Sequence, residues 1–132
     1  MYLLDSNVCI HLLNQRHQNI EHQFRKHSPS DIFLCSVVKA ELLFGARHSQ
    51  RVEANLKRLQ IFFSPLGSFY FDDHCAEVYA HIRHQLSISG QLIGPNDLMI
   101  AAIAIVNDLT LVTHNQKEFS RISGLNLEDW EG

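Results

Sequence analysis

Three carboxylates and one amide stand at positions where they could act on the same chemistry. Asp5 closes the apolar run Tyr2-Leu3-Leu4 and is followed by Ser6 and Asn7. Glu41 shares a helical stripe with Val38, Leu42 and Gly45, so a carboxylate points along a packed face, where charge is costly unless paired or metal-bound. Asp97 stands just ahead of the most apolar stretch of the chain, Leu98 to Val106. Asn115 follows the run Thr110-Leu111-Val112-Thr113 much as Asp5 follows the first run. Oxygen donors with no His or Cys among them suit a hard cation, Mg²⁺ or Mn²⁺. Such a cation keeps several waters, and a water it activates can attack a phosphodiester. Each residue also has a plainer reading. Asp5, Ser6 and Asn7 are good helix caps, and Asp97 in a first helical turn favours the helix dipole.

The elements that position these groups follow from periodicity and punctuation. Tyr2–Leu4, Ile32–Cys35, Ser68–Phe71 and Thr110–Thr113 read as short strands, and Leu125–Leu127 as a fifth, edge strand. Between them fall helical patterns at Val8–Leu13, Gln15–His27, Ser36–Arg47, Arg51–Phe63, from Asp72 or Asp73 to Ser89, and from Pro95 through Val106. Strands alternating with helices predict a three-layer α/β/α fold around a mostly parallel sheet of four or five strands. In such sheets ligands bind at the carboxyl ends of the strands, where Asp5 and Asn115 fall.

The 132 residues predict one domain, with apolar residues at 45% and charged residues at 19%, a globular composition. The net charge of −3 argues against a broad basic nucleic-acid surface, though not against a nuclease whose own acidic centre lowers the total. Leu98 to Val106 is about half the length that spans a bilayer, and no secretory leader is evident, so no membrane role is expected. Cys9, Cys35 and Cys75 are scattered in apolar patterns and read as buried thiols of a reducing compartment, the cytoplasm.

Four motifs taken in order resemble the PIN-domain ribonucleases, and their spacing resembles the VapC toxins of bacterial toxin–antitoxin pairs. They are Leu4-Asp5-Ser6-Asn7, Ala40-Glu41-Leu42-Leu43-Phe44-Gly45 within Ser36–Gly45, Gly94-Pro95-Asn96-Asp97, and Thr113-His114-Asn115. The ending Glu118-Phe119-Ser120-Arg121-Ile122 through Asp129-Trp130 resembles the VapC tail, so the likeness covers the whole chain. It implies a PIN-like fold and a Mg²⁺-dependent endoribonuclease, with structured RNA such as tRNA as substrate. It implies that Asp5, Glu41 and Asp97 hold metal, with Ser6 and Asn7 positioning Asp5 or a water. It also implies a small VapB-like antitoxin as partner, through which alone DNA is bound, and a homodimer. Many PIN domains carry a fourth acidic residue where Asn115 stands. An amide oxygen can ligate a metal without adding charge, and Glu118, one helical turn on, could compensate.

Two other readings remain open. One is a catalytically weak or inactive PIN-like domain that binds RNA or protein. The other is a signalling receiver domain, which would want an acidic neighbour beside Asp5, and there is none. Lys39, Arg47, Lys117 and Arg121 are candidate phosphate contacts. His74, Glu77, His81 and His84 share one helical face, read as a solvated one opposite the stripe Cys75, Tyr79, Ile82 and Leu86. Trp130 is expected to pack the tail against the domain. The apolar segment Leu59, Ile61, Phe62 and Phe63 is expected to need a cover, hence the homodimer.

Overall fold

A computed structural model describes residues 1–132. Its centre is β1 (Tyr2–Leu4), whose Leu3 and Leu4 are fully buried. On one side β1 pairs with β2 (Ile32–Cys35) through Tyr2 opposite Ile32, and β2 pairs with β3 (Gly67–Phe69). On the other side Tyr2 faces Thr110 of β4 (Thr110–Val112), and Thr110 faces Asn126 of β5 (Asn126–Glu128). Every pairing is parallel, and the spatial order is β3-β2-β1-β4-β5.

That order has a functional consequence. The chain builds outward from β1 to β3, then returns to lay β4 on the opposite side of β1. The connections leaving β1 and β4 therefore diverge and open a crevice at their carboxyl ends, the place where such sheets bind ligands. The crevice is closed below by ladder bonds. Asp5 donates its backbone N–H to Val112 at 3.2 Å, and Thr113 donates to Glu128 at 3.0 Å.

Helices flank the sheet: α1 (Ser6–Asn14), α2 (Gln18–Lys26), α3 (Ser36–Arg47), α4 (Val52–Phe63), α5 (Asp73–Ile88), α6 (Pro95–Val106) and the short α7 (Gln116–Phe119). In α6, Leu98 and Ile100 to Ala104 are buried, which explains its nearly continuous apolar sequence. No helix is long and apolar enough to cross a membrane.

Several boundaries differ from those the sequence predicts. Helix α1 starts two residues early, at Ser6, because the Asp5 side chain caps it. Helix α2 starts at Gln18 and not Gln15. Gln15 turns left-handed (φ 53°) to end α1, and the His17 side chain caps α2. Strand β3 ends at Phe69, beyond which Tyr70 is exposed, and β5 is displaced by one residue. The α3 stripe runs through Val38, Leu42 and Ala46, while Gly45 is exposed, so Glu41 lies at the stripe's margin and not within it. Leu59 is buried, and Phe62 and Phe63 pack on the core within the chain, leaving only Ile61 of that segment exposed. Trp130 is buried at 2% exposure, as a packed tail requires.

Candidate active site

The crevice between β1 and β4 gathers the acidic groups. Asp5 is only 8% exposed, and its Oδ1 accepts the N–H of Val8 at 3.0 Å. Capping and burial at the crevice are therefore properties of the same carboxylate. Burial pushes its pKa up and the Glu41 charge adds to the rise, while hydrogen bonds from the Thr113 side chain and from backbone oppose it. Thr113 is fully buried, and its Oγ1 also accepts the N–H of Asn115 at 3.1 Å. One hydroxyl thus ties the loop after β4 to the carboxylate after β1. Asn115 occupies the N-cap position of α7 but makes no capping bond with its side chain.

Glu41 reaches the same place from α3. Its Oε1 accepts the hydroxyl of Ser6 at 2.9 Å, joining α1 to α3. Asp97 lies in the first turn of α6, half-buried, and the N-cap of that helix is Gly94, with no side-chain capping bond. Burial raises the Asp97 pKa, and the charges of Glu41, Glu118 and Asp5 raise it further. Asp97 thus lies within electrostatic reach of the other three carboxylates, and Glu41 acts on Asp5 as well. Glu118, one helical turn beyond Asn115, is half-buried and acts on Asp97. Asn7 is exposed and lines a cleft with Asp5, His11, His114, Asn115, Lys117 and Glu131.

No lysine or arginine lies within salt-bridge range of Asp5, Glu41, Asp97 or Glu118; the ion pairs in the molecule all involve histidines and the tail. An edge with several carboxylates and no counter-charge fits an oxygen-seeking cation. In the present side-chain positions no three His, Cys, Asp or Glu groups are close enough to enclose one ion. Mg²⁺ typically takes one or two carboxylates directly and keeps several waters. Asp5, Glu41 and Asp97 are the residues that could hold it, with Glu118 beside them.

The candidate phosphate contacts separate. Lys117 lines the cleft. Lys39 instead sits over the Phe63 ring, 5.0 Å from its centroid, and Arg121 donates to the carbonyls of Gln91 and Leu92. His74, Glu77 and His81 line a groove beside α5, with Ile105, Arg121 and Ile122, none of which belongs to the acidic edge. Thr113's role and the grouping of His11, His17 and Glu131 emerge only in the folded chain. Their convergence depends on how the tail crosses α1 and α2, for which the sequence carries no local signal.

The PIN domain family model matches residues 2–125. The chain is 38% identical to the ribonuclease VapC2 of Rickettsia felis, over 99% of this chain and 98% of that one. It is 34% identical to the tRNA(fMet)-specific endonuclease VapC of Shigella flexneri, over 98% and 97% respectively. Among solved structures, it resembles VapBC2 from Rickettsia felis bound to a promoter DNA fragment, with a TM-score of 0.91 at 38% identity and 98% of each chain covered. DNA-bound VapBC from Salmonella typhimurium also gives a TM-score of 0.91, at 34% identity over 98% of this chain and 97% of that one.

Proposed function

The chain belongs to the PIN-domain family, as an endoribonuclease of the VapC type, and we propose that its acidic edge hydrolyses RNA with the help of Mg²⁺, or Mn²⁺ in its place. The observation that carries this reading is the set of four carboxylates at the crevice between β1 and β4, none of them ion-paired with a lysine or arginine. When bound, the cation supplies Lewis acidity to the phosphate and eases deprotonation of a water. The residues supply the rest. Asp5 is fixed by its Val8 and Thr113 bonds, so its free oxygen edge has one orientation. Ser6 orients Glu41 through its hydroxyl. Asp97 has no protein partner to compete for its oxygens, and its raised pKa marks the charge that the cation would relieve. Asn115 and Asn7 offer neutral polar groups to the cleft, and Lys117 offers a cation to an RNA phosphate.

The substrate class extends to tRNA, in keeping with the named activity of the Shigella flexneri relative. A VapB-like antitoxin is the expected partner, because the matched structures are VapBC complexes, and it carries the contact with DNA. A groove between α1, α3 and α4, lined by Ile10, Leu13, Leu42, Ala46 and Leu59, opens beside Glu41. A peptide with apolar anchors and one cation suits it. A homodimer remains part of the proposal, now resting on exposed Phe44, Ile61 and Ile88 and not on Leu59, Phe62 and Phe63. An activity on cellular RNA would be exercised in the cytoplasm.

The test is to incubate purified protein with total cellular RNA in Mg²⁺ or in EDTA and to map the cut ends. Cleavage at discrete sites only with Mg²⁺ is the expected result. Binding without cleavage in both conditions would support the inactive, RNA-binding reading that Asn115 permits.

A further inference from the structure

The carboxylate of Glu131 sits where imidazoles from three elements converge. Its Oε1 lies 3.5 Å from His17 Nε2, and its Oε2 lies 4.0 Å from His11 Nε2 and 3.8 Å from His114 Nδ1. His11 comes from α1, His17 is the N-cap of α2, and His114 follows β4. The Glu131 carboxylate accepts no close hydrogen bond and meets no lysine or arginine. It is held only by contacts at the outer limit of an ion pair.

Two ordinary explanations fail. The first is a metal site. His17 Nδ1 accepts the N–H of Ile20 at 3.4 Å, which leaves the ring proton on Nε2, so the nitrogen facing Glu131 is a donor and not a metal ligand. The second is that the carboxylate anchors the tail. The tail is anchored without it. Trp130 is buried, stacks on His27 and donates from Nε1 to Glu128 at 3.0 Å. Asp129 takes His114 Nδ1 at 3.0 Å and the N–H of Glu131 at 2.9 Å, and Asn19 donates to the Glu131 carbonyl at 2.9 Å.

What remains is one carboxylate ringed by three imidazoles, of which His17 turns an N–H toward it while His114 gives its Nδ1 to Asp129. It opens on the cleft that holds Asp5, Asn115 and Lys117. We propose that His11 and Lys117, which line this cleft, together with His17 on the other oxygen of the Glu131 carboxylate, form a binding subsite for an RNA backbone phosphate, and that the Glu131 carboxylate occupies it until the phosphate displaces it. The proposal rests on the RNA-cleaving reading above and names where a phosphate beyond the scissile one is held. A neutral imidazole donates through its N–H, and Lys117 carries the charge, so the subsite works without protonated histidines. Displacement needs only rotation of the Glu131 side chain, because the backbone on either side is held by Asp129 and Asn19.

The experiment has two arms. In EDTA, where no cleavage occurs, inorganic phosphate is titrated into protein labelled at the imidazole nitrogens. The resonances of His11 and His17 should move together and saturate, while those of His74, His81 and His84 stay still. In the same buffer a short RNA is bound to wild type, Glu131→Gln, His11→Gln and the double variant. Glu131→Gln should bind RNA tighter by about fivefold, on the scale of one relieved charge contact of roughly 1 kcal/mol. His11→Gln should bind more weakly, and the double variant should lose most of the gain. Trp130 fluorescence confirms that the tail stays docked in each variant. Phosphate that leaves both imidazoles unmoved, or a Glu131→Gln protein that binds RNA no tighter than wild type with its tail docked, overturns the proposal. A protein that passes both arms but never cuts RNA in Mg²⁺ keeps the subsite and loses the catalytic reading.

Discussion

Asp5 does two jobs that one pair of substitutions can separate. Its Oδ1 caps α1 through the Val8 N–H at 3.0 Å, while its buried charge is a liability in the absence of metal. Asparagine keeps an acceptor for the cap and removes the charge; the Thr113 hydroxyl can turn to accept from the new amide. Alanine removes both. The difference between the two variants therefore reads the cap together with the Thr113 contact; the cap is worth about 1 kcal/mol, with a range of about 0.5–2. An unfolding entropy of about 2.1 cal/mol/K per residue converts 1 kcal/mol in a domain of 132 residues into about 4 °C of melting temperature. In EDTA at pH 7 Asp5→Ala should melt about 4 °C below Asp5→Asn. Asp5→Asn should melt at or above wild type, and neither variant should cut RNA. Differential scanning calorimetry reads the first two outcomes and a gel the third. An Asp5→Asn protein that melts with Asp5→Ala, well below wild type, would refute the reasoning, because the charge would then be holding the fold.

Other expectations follow from particular contacts. Asp97 has a raised pKa, so the folded apo protein holds its proton to higher pH than the unfolded chain does. Stability is therefore lost as pH rises from the unfolded value near 3.8 through the raised folded one. Apo Asp97→Asn should be more stable than wild type at pH 7, with the gap closing below pH 3.8, and Mg²⁺ should stabilise wild type far more than the variant; a variant less stable than wild type in EDTA would make Asp97 a helix-stabilising residue. Trp130→Ala should cost about 3–5 kcal/mol in urea unfolding, since it empties a site 2% exposed; a loss under about 1 kcal/mol would mean that the tail is dispensable. Gly67→Ala would put a methyl group 2.7 Å from the Phe33 ring, and should destabilise by about 1–3 kcal/mol with little effect on cleavage.

Where the chemistry lay close to a strand end, it was legible. Leu3 and Leu4 ahead of Asp5, and Leu111 and Val112 ahead of Thr113, announce buried parallel strands, and a polar residue after each must fall at the crevice. The helix heads were harder, because one side chain can serve as cap and as site residue. The Asp5 cap moved α1 forward to Ser6. Glu41 looked interior by its spacing from Val38, yet Ala46 and not Gly45 continues the buried stripe, which turns Glu41 toward Ser6. The tail's contacts were not legible. The His114–Asp129 bond exists because β5 lies parallel beside β4, and two of the imidazoles around Glu131, His11 and His17, come from the opposite end of the chain. The apolar end of α4 likewise read as an interface, because the sequence does not show that Phe62 and Phe63 fold back onto the core.

The central claim is that the carboxylates at the β1–β4 crevice act with a divalent cation to cut RNA. Single-turnover cleavage of one mapped RNA site at saturating Mg²⁺ tests it most directly, with wild type compared against Asp5→Asn, Glu41→Gln and Asp97→Asn, each shown to be folded. Each substitution should slow cleavage by about a hundredfold or more, and Asn115→Ala should cost less. A folded Asp97→Asn protein that cuts the same site within twofold of the wild-type rate would contradict the account.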